Sequence, residues 1–547
     1  MSHPLHTPSR QTPWLRVIDR HMDIFLTLGL LVAALVLFTV NLGGVPLRDW
    51  DEGTVAQVAR EIAQSPRPWI AWLYPTLHGD PYFNKPPLVH GLVAIAYHFG
   101  GIGATPARLP GAWLTALSVP LLYGIGRQLF PQRLTALLAA AVYLTMLPVV
   151  RHGRLAMLDG AILCFFLGTV WAALRSRRNP RWALGMGLGI GLMTLTKGIL
   201  GLLLGGIALA FLAWDAPRLL ISFYTWGGLF LGALPALIWY ALQGLAYGPE
   251  FFTVHFLSQS FDRVWAAVED NRQPPWFYLL ELLKYGFPWL LFWPMGLGLA
   301  WGDRTLSWAK LVLVWGGGYL LVISVMGTKL PWYVLPVYPA LALATGYELG
   351  RLWQTLPGVS ARLEPSRRYV AGLRAGLALL GILGWGGGVY FLAFATPREG
   401  DLALALAALG LTMTVAVWLM NRRDRQFIPI LLWGFYVTLL LFVTSNHWVW
   451  ELNEDYAVEP VAAMVQAHTP ENQRLLTSHP IRRPSLEFYS DREVIPASRP
   501  QLRQRWQRQN APYFLLDRAT ALALNLPQAE VLAETQDWLL ITKRSEN

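Results

Sequence analysis

Two things are scarce in this chain of 547 residues: cysteine and charge. Its one cysteine, Cys164, lies in an apolar run, so an internal disulfide bond is excluded. Charged residues make up 14% of the chain, against about 25% in an ordinary soluble domain. Hydrophobic residues make up 54%. This imbalance excludes a protein that is soluble over its whole length and favours an integral membrane protein.

Apolar runs of about twenty residues recur between Met22 and His447, and a run of that length can cross the hydrocarbon core as a helix. The 26 tryptophans and 38 prolines are typical of the same class, because Trp favours the headgroup region and Pro is tolerated in membrane helices. The pattern predicts thirteen spans, at residues 23–44, 106–126, 134–150, 158–174, 182–196, 198–214, 219–243, 276–300, 308–326, 330–350, 370–394, 402–420 and 427–446. The fifth and sixth are short and rich in glycine.

The net charge of +11 would suit a nucleic-acid-binding protein if the chain were soluble. With the N-terminus inside, however, the basic residues fall in the inner loops, at Arg127, Arg133, Arg175, Arg177, Arg178, Arg181, Arg218, Arg304, Lys310, Arg351, Arg362, Arg367, Arg368, Arg422, Arg423 and Arg425. The outer loops carry acidic residues, at Asp49, Asp51, Glu52, Asp80, Asp159, Glu250, Asp262, Glu269 and Asp270. The positive-inside rule therefore predicts an inner N-terminus, an outer C-terminus and no nucleic-acid partner.

Two segments depart from the pattern of simple spans. Residues 45–105 are predicted to form one outer loop, with a helix over 51–64 and a re-entrant or interfacial helix over 86–103. A full span at 86–103 would invert every later loop. The tail from about residue 451 mixes β-rich runs with helical patterns, the β-rich runs being Arg474–Thr477, Tyr513–Leu516 and Trp538–Thr542. The predicted fold is therefore an α-helical polytopic membrane domain, 1–450, followed by a small soluble α/β domain, 451–547.

Polar residues that could carry chemistry gather at the outer ends of spans, where charge at membrane depth is costly unless it has a function. Asp51 and Glu52 begin the helix of the outer loop, and they suit a general base, a metal ligand or a helix cap. Tyr82 and Lys85 precede two prolines and an apolar helix, and together with Glu52 they are predicted to bind substrate. Lys85 there suits a phosphate group, or it extends to water. Lys197 gives a weaker signal of the same kind, or it ends a short helix.

Later segments add further groups at the outer side. Asp159 opens the fourth span and suits acid–base chemistry or a structural pair with a nearby arginine. The loop after the seventh span contributes His255, a candidate metal ligand, and Arg272, since arginine suits phosphate oxygens. The alternative is that this loop is only a solvent-exposed connection between two spans. Lys329 and Tyr333 lie at an outer span end and could face the same phosphate. Acids and cations from distant segments on one side suit an enzyme with a charged lipid substrate.

The order of these motifs resembles a known family. They are Asp51-Glu52-Gly53, Pro81-Tyr82-Phe83-Asn84-Lys85-Pro86-Pro87-Leu88, Leu158-Asp159, Leu195-Thr196-Lys197-Gly198 and Lys329-Leu330-Pro331-Trp332-Tyr333-Val334-Leu335-Pro336. Together they resemble the aminoarabinose lipid A transferase family, which belongs with the protein O-mannosyltransferase-like GT-C glycosyltransferases. The resemblance covers about residues 45 to 350 and extends weakly to Pro484-Ser485-Leu486-Glu487-Phe488-Tyr489.

The resemblance implies an enzyme that moves a sugar from a polyprenyl-phosphate donor to a lipid A-like lipid or another envelope acceptor. The reaction would take place, with inversion, on the periplasmic face of a bacterial inner membrane. Asp51 matches the family's catalytic acidic position, and Asp159 matches a second acidic position near the site. Lys85, Arg272 and Tyr333 match groups that contact the donor phosphate.

One position departs from the family pattern. The family often has an acidic residue, close to a bound metal, immediately before the Lys-Pro-Pro motif, and this chain has Asn84. A divalent metal therefore stays open as a cofactor, with Asp51 and His255 as candidate ligands. Three alternatives also stay open: a protein O-mannosyltransferase-like enzyme, a polytopic lipid or solute transporter, and a scaffold whose tail binds a partner.

Overall fold

The structure is a computed structural model that describes residues 13–265, 272–355, 366–449, 456–471, 473–508 and 512–544. Three acidic or amide residues of the predicted outer loops, Glu269, Asp270 and Asn271, lie outside the described residues, as does Arg362.

Helices build the part of the chain before residue 450. The α-helices there are Pro13–Thr39, Asp51–Gln64, Pro68–Leu73, Leu88–Gly100, Ala104–Leu129, Arg133–Leu144, Leu147–Arg154, Asp159–Ser176, Ala183–Lys197, Ile199–Asp215, Phe223–Tyr247, Pro249–Phe252, Asp262–Trp265, Phe277–Tyr285, Trp293–Gly302, Ser307–Val312, Tyr319–Val325, Tyr338–Thr355, Arg367–Val389, Gly400–Asn421 and Phe427–Thr444. Turns of 3₁₀-helix cover Pro180–Trp182, Pro217–Ile221, Trp289–Leu291 and Pro331–Val337. Stretches of π-helix cover Thr253–Phe261, Leu313–Gly318 and Tyr390–Phe394.

All thirteen predicted spans coincide with a helix or with a broken run of helices. Within the described residues, eight helices are long and apolar enough to cross a membrane. The count becomes nine if Arg133–Leu144 and Leu147–Arg154, which meet at a bend of 58°, form one span. The prediction of a multi-pass membrane protein is confirmed, and the number of thirteen crossings stays a prediction.

The glycine-rich fifth span is a tightly packed helix, Ala183–Lys197. A Cβ on Gly187 would lie 1.9 Å from the carbonyl oxygen of Gly228, and one on Gly191 would lie 1.8 Å from that of Gly232. Both pairs are spaced by four residues on their helices. Small residues at this spacing let two membrane helices bring their backbones together, which explains the glycine content of this stretch.

The outer loop contains the helix predicted over 51–64, at Asp51–Gln64, which we call the Asp51 helix. It packs against Leu88–Gly100 through an apolar cluster that includes Val55, Val58, Ile62, Val89 and Val93. Because thirteen residues of α-helix rise about 20 Å, Leu88–Gly100 is too short for a hydrocarbon core of about 30 Å. This length agrees with the re-entrant or interfacial helix predicted there.

A two-stranded hairpin connects these two helices. Strand β1, Thr76–Leu77, pairs antiparallel with β2, Asp80–Pro81. The loop residues His78 and Gly79 have φ values of 60° and 82°, as two-residue hairpin loops with positive φ require. Glu61 of the Asp51 helix accepts hydrogen bonds from Thr76 Oγ1 and His78 N, each 2.6 Å long, and so anchors the hairpin.

The C-terminal segment forms the predicted small α/β domain. Its helices are Val458–His468, Pro484–Ser490, Arg499–Arg508 and Arg518–Leu524. Its strands are β3, Arg474–Thr477; β4, Glu493–Pro496; β5, Tyr513–Asp517; β6, Ala529–Thr535; and β7, Trp538–Lys543. They form one sheet in the order β4-β3-β5-β7-β6. Strand β3 is parallel to both of its neighbours, and β7 is antiparallel to both of its own.

Candidate functional site

A cavity of about 560 Å³ lies beside the outer loop, and three cationic side chains line it. They are Lys85, Lys197 and Arg263, and no carboxylate belongs to the described lining. Most of the remaining lining is apolar, from the helices Ile199–Asp215 and Tyr319–Val325. The cavity therefore joins a positive end to an apolar wall.

Lys85 reaches the cavity because Pro86 and Pro87 end the extended segment and start the helix Leu88–Gly100. Its Nζ lies 3.5 Å from Oε1 of Gln259. Burial, together with the neighbouring charges of Arg263 and Lys197, lowers the pKa of Lys85 to about 7. A lysine in this state gains its proton fully when an anion binds beside it.

Lys197 is presented by a sharp break between two helices. Gly198, which follows it, has a φ of 56°, a conformation that glycine adopts without steric cost. Lys197 Nζ lies 2.8 and 2.9 Å from the two carboxylate oxygens of Asp159, and 5.8 Å from the centre of the Tyr333 ring. Asp159 therefore fixes the direction of this cation and balances part of the positive charge at the cavity.

Arg263 comes from the end of the irregular segment after residue 249. Its backbone carbonyl accepts a hydrogen bond of 3.0 Å from Thr328 N, and Val264 O accepts one of 2.8 Å from Gly327 N. Arg263 Nη1 donates to the hydroxyl of Tyr333 over 3.3 Å. The segment is thereby tied to the Lys-Leu-Pro region, and Arg263 and Tyr333 share one wall of the cavity.

The apolar wall of the cavity reaches the outer surface of the helix bundle. Leu202, Leu321 and Val325 line the cavity and are 59%, 67% and 74% exposed. In a membrane-spanning chain, such an apolar surface faces lipid. The cavity is therefore shaped for an amphipathic ligand, with its anionic head at the lysines and its hydrocarbon chain leaving sideways.

Asp51 lies at the start of the Asp51 helix, 3.3 Å from Arg48 Nη1, with 27% of its side chain exposed. Burial raises the pKa of Asp51 to about 6, and the negative charges of Asp159 and Glu52 act in the same direction, against Arg48 and Lys197. These mutual effects put Asp51 close to the Asp159–Lys197 pair. At neutral pH Asp51 is a carboxylate whose raised pKa suits it to accept a proton.

Glu52, predicted to bind substrate, is fully buried in a two-pronged ion pair with Arg108. Arg108 Nε and Nη2 each lie 2.7 Å from a carboxylate oxygen of Glu52. Glu52 also accepts hydrogen bonds from the backbone N–H groups of Arg48 and Ala156. These partners saturate the carboxylate, so in this structure Glu52 fixes the start of the Asp51 helix and does not line the cavity.

Three other residues predicted to bind substrate also lie away from the cavity lining. Tyr82 is buried in the apolar cluster beneath the Asp51 helix. Lys329 is buried and donates a hydrogen bond to the carbonyl oxygen of Met326. Arg272 is exposed and forms a backbone bridge with Thr328. Of the predicted set, Lys85, His255 and Tyr333 line the cavity. Asp159 is connected to it through Lys197, and Asp51 lies near that pair.

His255 lines the cavity, yet its ring is already engaged. Nδ1 lies 2.7 Å from the carbonyl oxygen of Phe83, and Nε2 lies 3.1 Å from the hydroxyl of Tyr240. Burial lowers the pKa of His255 to about 4, so the ring is neutral. With both nitrogens in hydrogen bonds and Asn84 where the family has an acid, the described residues here do not form the ligand set of a divalent metal.

Elsewhere in the described residues, one trio brings metal-binding atoms within 4.8 Å of one another: Glu399, Asp401 and His447. Neither Asp51 nor His255 belongs to such a group there.

Of the two further cavity cations, Lys197 was predicted only as a weaker candidate, and Arg263 was not predicted. The Thr-Lys-Gly break signalled Lys197, since a lysine before a glycine at a helix end is presented at a turn. Arg263 is one of two arginines in the same loop. Its selection depends on the π-helical turn over Thr253–Phe261, which periodicity does not reveal.

Several known proteins are similar to this chain. The sequence family described as dolichyl-phosphate-mannose-protein mannosyltransferase matches residues 84–240. An undecaprenyl phosphate-α-4-amino-4-deoxy-L-arabinose arabinosyl transferase from Erwinia tasmaniensis is 30% identical over 303 residues, 54% of each chain. The transferase of that name from Pectobacterium carotovorum is 29% identical over 381 residues, 68% of this chain and 67% of its own. The matched stretches thus span about half to two thirds of these relatives.

A solved structure shares the fold over almost the whole chain. ArnT from Cupriavidus metallidurans bound to undecaprenyl phosphate superposes with a TM-score of 0.77 at 19% identity, covering 94% of this chain and 97% of its own. The apo form of that protein superposes with a TM-score of 0.74. The chain thus resembles the aminoarabinose transferases in sequence over the matched stretches, and it shares the fold of the solved ArnT structure over almost its whole length. Both likenesses agree with the resemblance that its motifs predicted.

Proposed function

We propose that this protein is an integral membrane glycosyltransferase that moves a sugar, with inversion, from a polyprenyl-phosphate donor to a lipid A-like or other envelope acceptor. One observation carries the proposal: three cations meet at one end of a cavity whose apolar wall opens toward lipid. A phosphate on a long prenyl chain has an anionic head for the cations and a hydrocarbon chain for the apolar wall. The undecaprenyl-phosphate sugar named for the relatives supports the same donor class.

The reaction would break the bond between the anomeric carbon and the phosphate oxygen, and the electron pair would stay on the phosphate. Negative charge therefore grows on the leaving group as the bond lengthens. Lys85, Lys197 and Arg263 are placed to stabilise that charge, and the Tyr333 hydroxyl is a further donor on the same wall. Fixed cations in a shielded site act more strongly than cations in water.

Asp51 would act on the acceptor. A protein or sugar hydroxyl must lose its proton as it attacks the anomeric carbon, and the Asp51 carboxylate would take that proton. An acceptor that is already ionised, such as a phosphate of a lipid A-like molecule, needs less help, and Asp51 would then chiefly orient it. The match to the mannosyltransferase family over residues 84–240 supports a protein hydroxyl as the alternative acceptor.

The proposed setting is the bacterial inner membrane, with the N-terminus in the cytoplasm and the site in the periplasm. Residues 1–450 would form the catalytic membrane domain and residues 451–547 a soluble periplasmic domain. The charge asymmetry of the loops supports this orientation.

The function is tested by mass spectrometry of polyprenyl-phosphate sugars and envelope lipids in cells with wild-type protein, no protein, Asp51→Asn or Lys85→Gln. We expect one polyprenyl-phosphate sugar to accumulate, and one glycosylated product to disappear, in the deletion and in both variants. Lys284→Gln is the matched control, because Lys284 is 62% exposed and does not line the cavity.

Unchanged pools in cells that contain the inserted wild-type protein would contradict the transferase. If a carrier-linked sugar instead accumulates on the opposite face of the membrane and no glycosylated product is lost, the result would favour the alternative of a lipid or solute transporter.

A further inference from the structure

The helix Pro484–Ser490 of the C-terminal domain lies directly against the first turn of the Asp51 helix. Gly53 faces it so closely that a Cβ at that position would lie 2.7 Å from the backbone nitrogen of Ser485. Phe488 enters the apolar cluster beneath the Asp51 helix. Backbone meets backbone at this contact, so the two elements have little freedom to slide past each other.

Asp49, two residues before Asp51, is bound by this part of the C-terminal domain. Arg483 Nε donates to Asp49 Oδ2. Ser485 donates to Asp49 Oδ1 from its backbone nitrogen, over 3.1 Å, and from its hydroxyl, over 2.8 Å. The side chains of Asp49 and Arg483 are 7% and 3% exposed. The pair is therefore shielded from water and held by charge-assisted hydrogen bonds.

The contact continues on both sides of Asp49. Leu47 N donates to the Tyr489 hydroxyl over 2.8 Å. Toward the other end of the Asp51 helix, Arg60 Nη1 donates to the carbonyl oxygen of Phe488 over 2.9 Å, and Arg60 also pairs with Asp491. The whole helix is thus fastened to the C-terminal domain along its length.

The turn between Asp49 and Asp51 needs such support. Trp50 has a φ of 57°, in a region that residues other than glycine seldom occupy and that persists where surrounding contacts impose it. The direction of the Asp51 side chain follows from this turn. Whatever fixes Asp49 therefore also fixes Asp51.

We propose that the segment Arg483–Tyr489, through its ion pair with Asp49, positions Asp51 for sugar transfer. The segment touches no substrate in this role; Arg483 and Ser485 are positioning residues. The proposal rests on the proposed function and gives the C-terminal domain a part in the reaction. It also accounts for the Pro484-Ser485-Leu486-Glu487-Phe488-Tyr489 motif, which the site itself does not use.

The test compares Arg483→Ala, Arg483→Lys and the control Arg474→Ala in the purified full chain. Arg474 lies in the same domain, pairs with Glu493 and is 74% exposed. We expect Arg483→Ala to lower kcat about a hundredfold, as a displaced catalytic group does, with donor KM near wild type. Its detergent melting temperature should fall, because Asp49 loses its buried partner. Arg483→Lys keeps the charge and should restore much of kcat, and Arg474→Ala should match wild type.

Hydrogen exchange gives a readout that needs no turnover. The amides of residues 51–56 should exchange faster in Arg483→Ala than in wild type, while those of residues 190–197 should not change. The positioning role would be overturned if the amides of residues 51–56 exchanged equally fast in Arg483→Ala and in wild type. It would also be overturned if Arg483→Lys lost as much kcat, donor affinity and melting temperature as Arg483→Ala. A wild-type protein that binds no polyprenyl phosphate would instead count against the proposed function. The exchange result would still decide whether Arg483 holds the start of the Asp51 helix.

Discussion

A lysine that holds a phosphate must carry a proton, and its surroundings work against the proton at Lys85. Burial and the charges of Arg263 and Lys197 lower its pKa to about 7 in the free protein. A bound anion favours the charged form and raises the pKa again. Because the ligand binds the protonated lysine more tightly, affinity is full below pH 7 and falls as the pH rises above it.

Binding of a polyprenyl phosphodiester, whose own charge is constant over this range, should show that fall. We expect affinity to decrease by up to about tenfold per pH unit above 7, measured by titration calorimetry in detergent. Lys85→Gln should bind weakly with a flat profile. A flat profile in the wild-type protein would mean that Lys85 does not hold the phosphate.

The two arginines of the loop after residue 249 give a second prediction at the level of the residue. Arg263 lines the cavity, and Arg272 is exposed outside it. A hydrogen bond to a charged group contributes about 1.5–3 kcal/mol, so Arg263→Gln should weaken donor binding by about ten- to a hundredfold. Arg272→Gln should change it little. The reverse order, measured with the same phosphodiester, would place the donor phosphate outside this cavity and restore the arginine that the family resemblance selected.

At the level of the element, the start of the Asp51 helix depends on the Glu52–Arg108 pair. Both side chains are completely buried, and removing one partner of such a pair leaves an uncompensated charge. That loss typically destabilises by about 3–5 kcal/mol. Arg108→Met should therefore lower the melting temperature of the purified protein and the yield of inserted protein. Asp80→Asn, an exposed substitution in the same loop, serves as the control. An unchanged melting temperature in Arg108→Met would contradict the structural role of the pair.

The Glu52–Arg108 pair was not predictable from the sequence. Asp51 and Glu52 are adjacent carboxylates, and both were predicted to serve the site. Successive helical side chains point about 100° apart, however, so one carboxylate faces the site while the other faces the core. The partner of Glu52 lies 56 residues away in the sequence, and no local pattern connects them. Lys85, Asp159 and Tyr333 were predicted because each sits at a span end beside proline or an apolar run.

For the whole molecule, hydropathy predicted the helices well, because burying backbone groups in lipid leaves few alternatives to a helix. The three predicted β-rich runs of the C-terminal domain also coincide with observed strands. The docking of that domain on the Asp51 helix was not predicted, since it depends on single polar contacts such as that between Arg483 and Asp49. The length and composition of a short apolar helix do not show whether it crosses the membrane. The number of crossings therefore stays a prediction.

Docking constrains that number. The outer loop and the C-terminal domain touch, so they lie on the same side of the membrane, and the chain between them must cross an even number of times. Thirteen spans satisfy this condition with twelve crossings after the first. Nine satisfy it with eight, if the bent pair Arg133–Leu144 and Leu147–Arg154 crosses once. Eight spans do not satisfy it.

Reporter fusions after residues 179, 250 and 547 test the arrangement. Residue 179 lies in a basic loop, which the positive-inside rule assigns to the cytoplasm, and residue 250 precedes the segment that carries His255 and Arg263. Alkaline phosphatase, active only in the periplasm, should be active after 250 and 547 and inactive after 179. A fluorescent protein that folds only in the cytoplasm should give the opposite pattern. Phosphatase activity after residue 179 and none after residue 547 would mean that the orientation is the reverse of the proposed one. Reporters on different sides after residues 250 and 547 would contradict the contact between the site and the C-terminal domain.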